Sequence, residues 1–164
     1  MTLYYPPVGF HFQVEVVGLD KIGFAANDFD VRFTEVSGLS VELATEEMAE
    51  GGENRYIQKY PVRTKYPDLV LKRGLLRNSA VWEWARQCIE DFNIRPMGIV
   101  IKLLSENHMP LMTWNVVGAY PTKWSVSDMN AANNAVMIET LQIFYQYFRV
   151  VKSSVPEDDG TPRT

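Results

Sequence analysis

The chain has 164 residues, with 16 Lys and Arg against 20 Asp and Glu, two His and one Cys. That length suits one domain with a core of its own, and a net charge of −4 without a basic stripe argues against a nucleic-acid footprint. A lone Cys88 forbids an intrachain disulfide, and so few soft ligands leave little for metal or nucleophile chemistry. The chain has no Asn-x-Ser/Thr sequon, and no Lys, Arg, Asp or Glu precedes Glu15, so the basic flank of a signal peptide is not expected. No apolar run nears the roughly 20 residues of a membrane span; the best is Met97–Ile101. The composition describes a compact, soluble, non-enzymatic chain.

Pro6-Pro7 leads into an alternating segment, with Phe10, Phe12, Val14 and Val16 on one face and His11, Gln13 and Glu15 on the other, which predicts a half-buried strand. Gly18 to Asp28 reads as a turn or loose hairpin. A second strand is expected from Val31 to Leu43, its phase slipping at Ser37-Gly38 as at a bulge. Thr45 to Asn54 carries Glu46, Glu47, Glu50 and Glu53 around Gly51-Gly52, too charged for core and too glycine-rich for a firm helix, so it reads as a long exposed loop. Arg55–Val62 and Asp68–Arg73 read as short strands.

A helix is predicted over Ala80–Phe92, capped by Asn78 or Ser79 and barred from continuing by Pro96. Its apolar arc holds Val81, Trp82, Ala85, Cys88, Ile89 and Phe92, with Trp84 on the flank and Glu83, Arg86, Gln87 and Glu90 opposite. Strands resume at Met97–Leu104, with a turn at Glu106–Pro110, then Leu111–Tyr120 and Pro121–Val126. Ala135–Val151 has polar residues at helical spacing but β-branched and aromatic content, and is read as a strand. Residues 1–150 form one expected domain, and 151–164 a disordered acidic tail. The fold class is therefore mainly β: a single-domain barrel or sandwich of about eight or nine strands with one flanking α-helix.

The search for catalytic groups finds none. His11 on a polar strand face and His108 in a turn have no Cys or His partners at metal spacing, so both read as surface residues. Cys88 reads as a small buried hydrophobe. There is no Gly-x-Ser-x-Gly elbow. Asp28-Phe29-Asp30 fails as a calcium loop, because Arg32 and Phe33 stand where an oxygen ligand and a glycine are required. Gly51-Gly52 lacks the Lys-Ser/Thr of a phosphate loop and sits among carboxylates. Trp82, Trp84, Trp114 and Trp124 read as packing rather than a stacking platform.

Five blocks in order carry a resemblance. They are Phe33-Thr34-Glu35-Val36-Ser37-Gly38-Leu39; Glu50-Gly51-Gly52-Glu53-Asn54; Tyr66-Pro67-Asp68-Leu69-Val70-Leu71-Lys72-Arg73-Gly74; Tyr120-Pro121-Thr122-Lys123-Trp124; and Asn134-Ala135-Val136-Met137-Ile138-Glu139-Thr140-Leu141. Together they resemble the tail tube proteins of contractile phage tails and phage-like contractile injection systems, over about residues 5 to 150. The acidic C-terminal tail is not part of that pattern.

The resemblance implies a non-enzymatic subunit without cofactor or metal, made in the bacterial cytoplasm and assembled into a phage tail or injection particle. Its implied partners are copies of itself in stacked hexameric rings, a sheath protein, baseplate or tube-initiator proteins, a terminal cap and cargo in the lumen. It implies neither a specific nucleic-acid site nor a direct membrane anchor. For such a ring, contact candidates are Glu46, Glu47, Glu50, Gly51, Gly52, Glu53, Asn54, Arg55 and Lys59, with Arg63 and Lys65 as further cations for the carboxylates. Glu83, Arg86, Gln87 and Glu90 are the candidates for a sheath-facing helix surface. A tube-initiator or baseplate-adaptor ring of the same fold stays open, as does a monomeric β-barrel binding module.

Overall fold

In the computed structural model, which describes residues 11–24, 32–49, 51–52 and 55–152, the period-two segments become strands. The order is β1 (His11–Val17), β2 (Glu35–Ser37), β3 (Glu42–Met48), β4 (Gln58–Lys65), β5 (Leu69–Gly74), α1 (Ala80–Ile89), β6 (Met97–Leu104), β7 (Pro110–Val126), β8 (Ile138–Phe144) and β9 (Tyr147–Lys152). A single 3₁₀ turn, Leu19–Ile22, follows β1. The main sheet runs β1-β6-β7-β8-β5-β2, with β9 also on β7 and every pairing antiparallel; β3 and β4 form a separate two-stranded ribbon.

β7 makes one ladder into two layers. Its Met112–Val117 stretch pairs with β9, and the same stretch meets β6 on its other side; Tyr120–Val126 pairs with β8. The bend falls at Gly118, which has φ +65 and where a Cβ would lie 2.7 Å from the Gln146 side chain. Level with it the neighbouring chain breaks between β8 and β9, and the Gln146 N–H donates to the Val117 carbonyl at 3.0 Å. A glycine bend facing a strand break is how one strand serves two packed sheets. A register shift between Pro121 and Lys123 absorbs the proline, which has no N–H to give to a ladder.

The core lies between these layers. Val14, Val16, Ile99, Ile101 and Val116 enter it from one sheet, Leu69, Leu71, Leu141 and Ile143 from the other, and Val81, Trp84, Ala85 and Cys88 from the helix. Each large aliphatic side chain taken fully from water contributes about 1.5–3 kcal/mol, so these residues dominate the fold's stability. Ser79 caps α1, its Oγ accepting from the Trp82 N–H at 3.2 Å.

Several expectations are corrected. The expected Val31–Leu43 strand is two strands, because at Gly38 (φ +92) the chain leaves the main sheet rather than bulging within it. Residues 42–48 are strand, not part of a loop from Thr45 to Asn54; cross-strand pairing with β4 supplies the order that their Glu-rich composition does not. Leu111–Tyr120 and Pro121–Val126 are one strand, and Ala135–Val151 holds two. The helix ends at Ile89, not Phe92, which takes a left-handed φ of +54 and is 82% exposed. That rotates the buried arc onto Trp84, which is 1% exposed and was expected on the flank, while Ile89 is exposed. β9 continues through Val151 and Lys152, the first two residues read as tail; residues 153–164, Phe10, Glu50, Glu53, Asn54 and the Asp28–Asp30 motif lie outside the described residues.

Candidate functional site

The surfaces with unspent bonding capacity are an arm, two strand edges and the outer face of α1. The arm is β3 with β4. The two strands pack on each other, and all of β4 and nearly all of β3 is exposed. Its register slips between Leu43 and Thr45, where two steps of β3 face three of β4. Glu46 pairs across with Tyr60 and Met48 with Gln58, so Met48 (60% exposed) and Tyr60 (43%) share a face with Glu46. Leu43 (55%) points to the opposite face, which also carries the Glu47–Lys59 ion pair at 3.2 Å. A pair this exposed is worth roughly 0–1 kcal/mol, and an isolated two-stranded ribbon is marginal in water. Apolar side chains left in water on both faces mark such a ribbon as an interaction element.

The root of the arm is clamped. Tyr145, at the β8–β9 corner, donates its hydroxyl to the carbonyl of Gly38, where the chain leaves the sheet, at 3.0 Å. Tyr66, where it returns, packs edge-on against Tyr145 (5.9 Å) and Phe148 (5.3 Å). Burial, reinforced by Tyr66 and Asp68, pushes the Tyr145 phenol up to about 12. Gly38 itself is wedged against the Asp68 carbonyl oxygen, 2.1 Å from where a Cβ would stand.

Of the edge strands, three-residue β2 ends one layer, and β1 and β9 bound the other. Among the described residues β1 pairs only with β6, and β9 only with β7. Since Met112–Val117 meets β6 and β9 on opposite sides, β1-β6-β7-β9 is a four-stranded sheet with both outer edges unpaired. Three antiparallel steps separate the edges, so β1 and β9 run in opposite directions.

On α1, Arg86 lies between Glu83 (3.2 Å), Glu90 (3.8 Å) and Asp91 (3.5 Å). Its guanidinium pKa is raised, first by the hydrogen bond to Glu83 and then by that carboxylate's charge. The exposed face is thus net acidic, with Gln87 beside it. Sequence periodicity therefore locates Glu83, Arg86, Gln87 and Glu90 on one outward face. The other candidates divide: Glu46, Glu47 and Lys59 stand along the arm, Gly51 and Gly52 lie at its far end, and Arg55 just before β4. The exposed apolar residues Leu43, Met48 and Tyr60 are not among the predicted contacts, since no periodicity in the sequence links them and only the β3–β4 register sets Met48 and Tyr60 on one face.

Burial pushes the Cys88 thiol up, with a hydrogen bond to the Arg95 backbone opposing it, which makes a poor nucleophile. Among the described residues no three His, Cys, Asp or Glu converge on a metal position, and no helix is long and apolar enough to cross a membrane. The buried charges, Arg73 and Glu139, serve architecture. Arg73 Nε donates to Glu139 across the β5–β8 ladder, Nη2 donates to Ser79 Oγ at the cap of α1, and the guanidinium lies 4.9 Å over the Phe33 ring.

A model of the T4-like virus tail tube protein gp19 family matches residues 8–149. The chain belongs to that family. Among solved structures it is similar to a chain of the anti-feeding prophage baseplate, with 28% identity, a TM-score of 0.79, and coverage of 93% of this chain and 100% of that one. The fold recurs in a chain of the sheath–tube complex of an extracellular contractile injection system (PVC), at 23% identity, TM-score 0.73, and coverage of 92% and 95%. It recurs again in Hcp1 from Flavobacterium johnsoniae, at 15% identity, TM-score 0.53, and coverage of 87% and 95%. Comparison with curated protein sequences gives no match. The tail tube family member is thus a structural, β-rich protein of contractile, phage-tail-like particles.

Proposed function

We propose that the chain is the repeating subunit of the inner tube of a contractile tail or injection particle, forming hexameric rings that stack into a hollow conduit within a sheath. The observation that carries this reading is the four-stranded sheet with two unpaired, oppositely directed edges. β9 of one copy laid against β1 of the next continues the ladder antiparallel, and the head-to-tail contact closes when the rotation per copy does. Closure removes the edges that would otherwise invite aggregation. Six copies give twenty-four strands, which at roughly 4.8 Å spacing enclose a barrel of backbone diameter about 37 Å, wider once the strands tilt. That leaves an aqueous lumen for cargo.

The arm supplies the second, non-closing contact, its Leu43, Met48 and Tyr60 buried against a neighbouring copy. The acidic outer face of α1 turns toward a cationic sheath surface. In this role residues 1–150 act as one barrel domain without catalysis.

Negative-stain electron microscopy of the purified chain tests the proposal. Six-fold rings and stacks are expected; a strict monomer at high concentration, with no ring under any condition, refutes it. The likeness to a baseplate chain favours a second reading, a tube-initiator ring used once per particle. Growth beyond one ring separates the two, since an initiator stops there.

A further inference from the structure

The chain has only two histidines, and the fold brings them together. The rings of His11, which opens β1, and His108, in the turn between β6 and β7, have centroids 5.5 Å apart with planes inclined by 29°. We infer that this pair is a binding site for a divalent late-transition-metal ion of the zinc class. Both rings are exposed, so an ion reaches them directly from solvent, and the inference needs a single chain, independent of ring formation.

The geometry suits the ion. Zinc–nitrogen bonds of about 2.1 Å and a tetrahedral angle set the centroids of two imidazoles on one ion roughly 5.2 Å apart. The observed separation is within a few tenths of an ångström of that value, although the rings are stacked, so binding requires each ring to turn about its broad χ2 torsion and aim one nitrogen at a shared position.

The turn holds His108 in place beforehand. His108 has φ +59, a left-handed conformation uncommon outside glycine. Ser105 maintains it: its carbonyl accepts from the His108 N–H at 2.9 Å, its Oγ from the Met109 N–H at 3.2 Å, and its own N–H donates to the Met109 carbonyl at 2.8 Å. His11 faces the base of this turn, opposite Leu104 in the β1–β6 register.

Further along that face Glu15 and Lys102 pair with each other at 3.8 Å, and Glu106 lies in the same turn as His108. Among the described residues no third His, Cys, Asp or Glu joins the histidines, so two waters would fill the remaining positions of a tetrahedral ion, one more than in zinc sites with three protein ligands. Bound there, the ion would staple the start of the edge strand β1 to the β6–β7 turn.

Calorimetric titration of the tag-free full chain with zinc chloride, with magnesium chloride as the oxygen-seeking control, tests this. One zinc ion per chain, no magnesium binding, and affinity weakened about ten-fold or more in both His11→Ala and His108→Ala support it. Zinc should also raise the thermal midpoint of the wild type and not of either variant, both of which should match its circular dichroism. Zinc binding unchanged by either substitution, one ion shared by two chains, or no binding at all overturns the inference.

Discussion

The buried Arg73–Glu139 pair offers the sharpest test of what holds the two layers and the helix together. Glu139→Leu leaves a guanidinium at a site only 2% exposed without its carboxylate, keeping the Ser79 hydroxyl and the Phe33 ring as partners. Breaking a buried pair from one side typically costs about 3–5 kcal/mol. For a chain of this size each kcal/mol moves the melting point by about 2–4 °C, so a fall of roughly 6–20 °C is expected. Arg73→Met should cost as much, because it strands the carboxylate, whose Oε2 already has no hydrogen-bond partner among the described residues. The double variant Arg73→Met/Glu139→Leu removes both charges and is expected within about 1–2 kcal/mol of wild type. Its cost should thus fall well short of the sum of the singles, the mark of a coupled pair. Guanidinium unfolding followed by intrinsic tryptophan fluorescence, at concentrations too low for assembly, measures all four species. Single variants that each lose less than about 1 kcal/mol, or a double variant whose loss equals their sum, would refute the reasoning.

Three further outcomes are expected. Met48→Asp with Tyr60→Ser, both on the exposed arm, should change monomer stability by only about 0.5 kcal/mol yet abolish rings on size exclusion and in micrographs; intact rings would remove the arm from the assembly. Gly38→Ala should cost about 2–3 kcal/mol or more in urea unfolding, since it adds left-handed strain to a Cβ set 2.1 Å from the Asp68 carbonyl oxygen. Tyr145→Phe should lose about 1 kcal/mol with its hydrogen bond. The Tyr145 phenol is raised to about 12 in the fold, so its neutral form stabilises fully below the unfolded value near 10. That contribution is lost as pH climbs toward 12; the phenylalanine variant should lack this part of the alkaline loss, and identical pH dependence from 9 to 12 would contradict the assignment.

The legible parts of the fold were those whose local and global preferences agree. β6, Met97–Leu104, is a short apolar run bounded by Pro96 and the polar turn from Ser105, so its limits follow from the sequence, and Ser79 is the one of the two candidate caps that caps α1. Trp84 was misplaced because Phe92 was counted into the helix, pulling the arc away from it; only the left-handed Phe92 reveals the earlier stop. A glycine at positive φ serves a bulge and a strand exit equally well, so Gly38 gave no means of choosing between them. β3 has a composition poor for a strand, and its partner β4 makes it one. Of the candidate surfaces, the helix face was readable because period 3.6 places Glu83, Arg86, Gln87 and Glu90 together. The meeting of His11 and His108 was not, since no local pattern links the first strand to the β6–β7 turn.

Among the described strands β1 is the first and β9 the last, and these are the two edges that an edge-to-edge ring would join. Such a ring would inspect both β1 and β9 at every joint. A chain broken off during synthesis, or clipped at either terminal strand, would offer one edge and lack the other, capping a growing arc instead of extending it. The presence of both strands would then be proofread by the geometry of assembly itself.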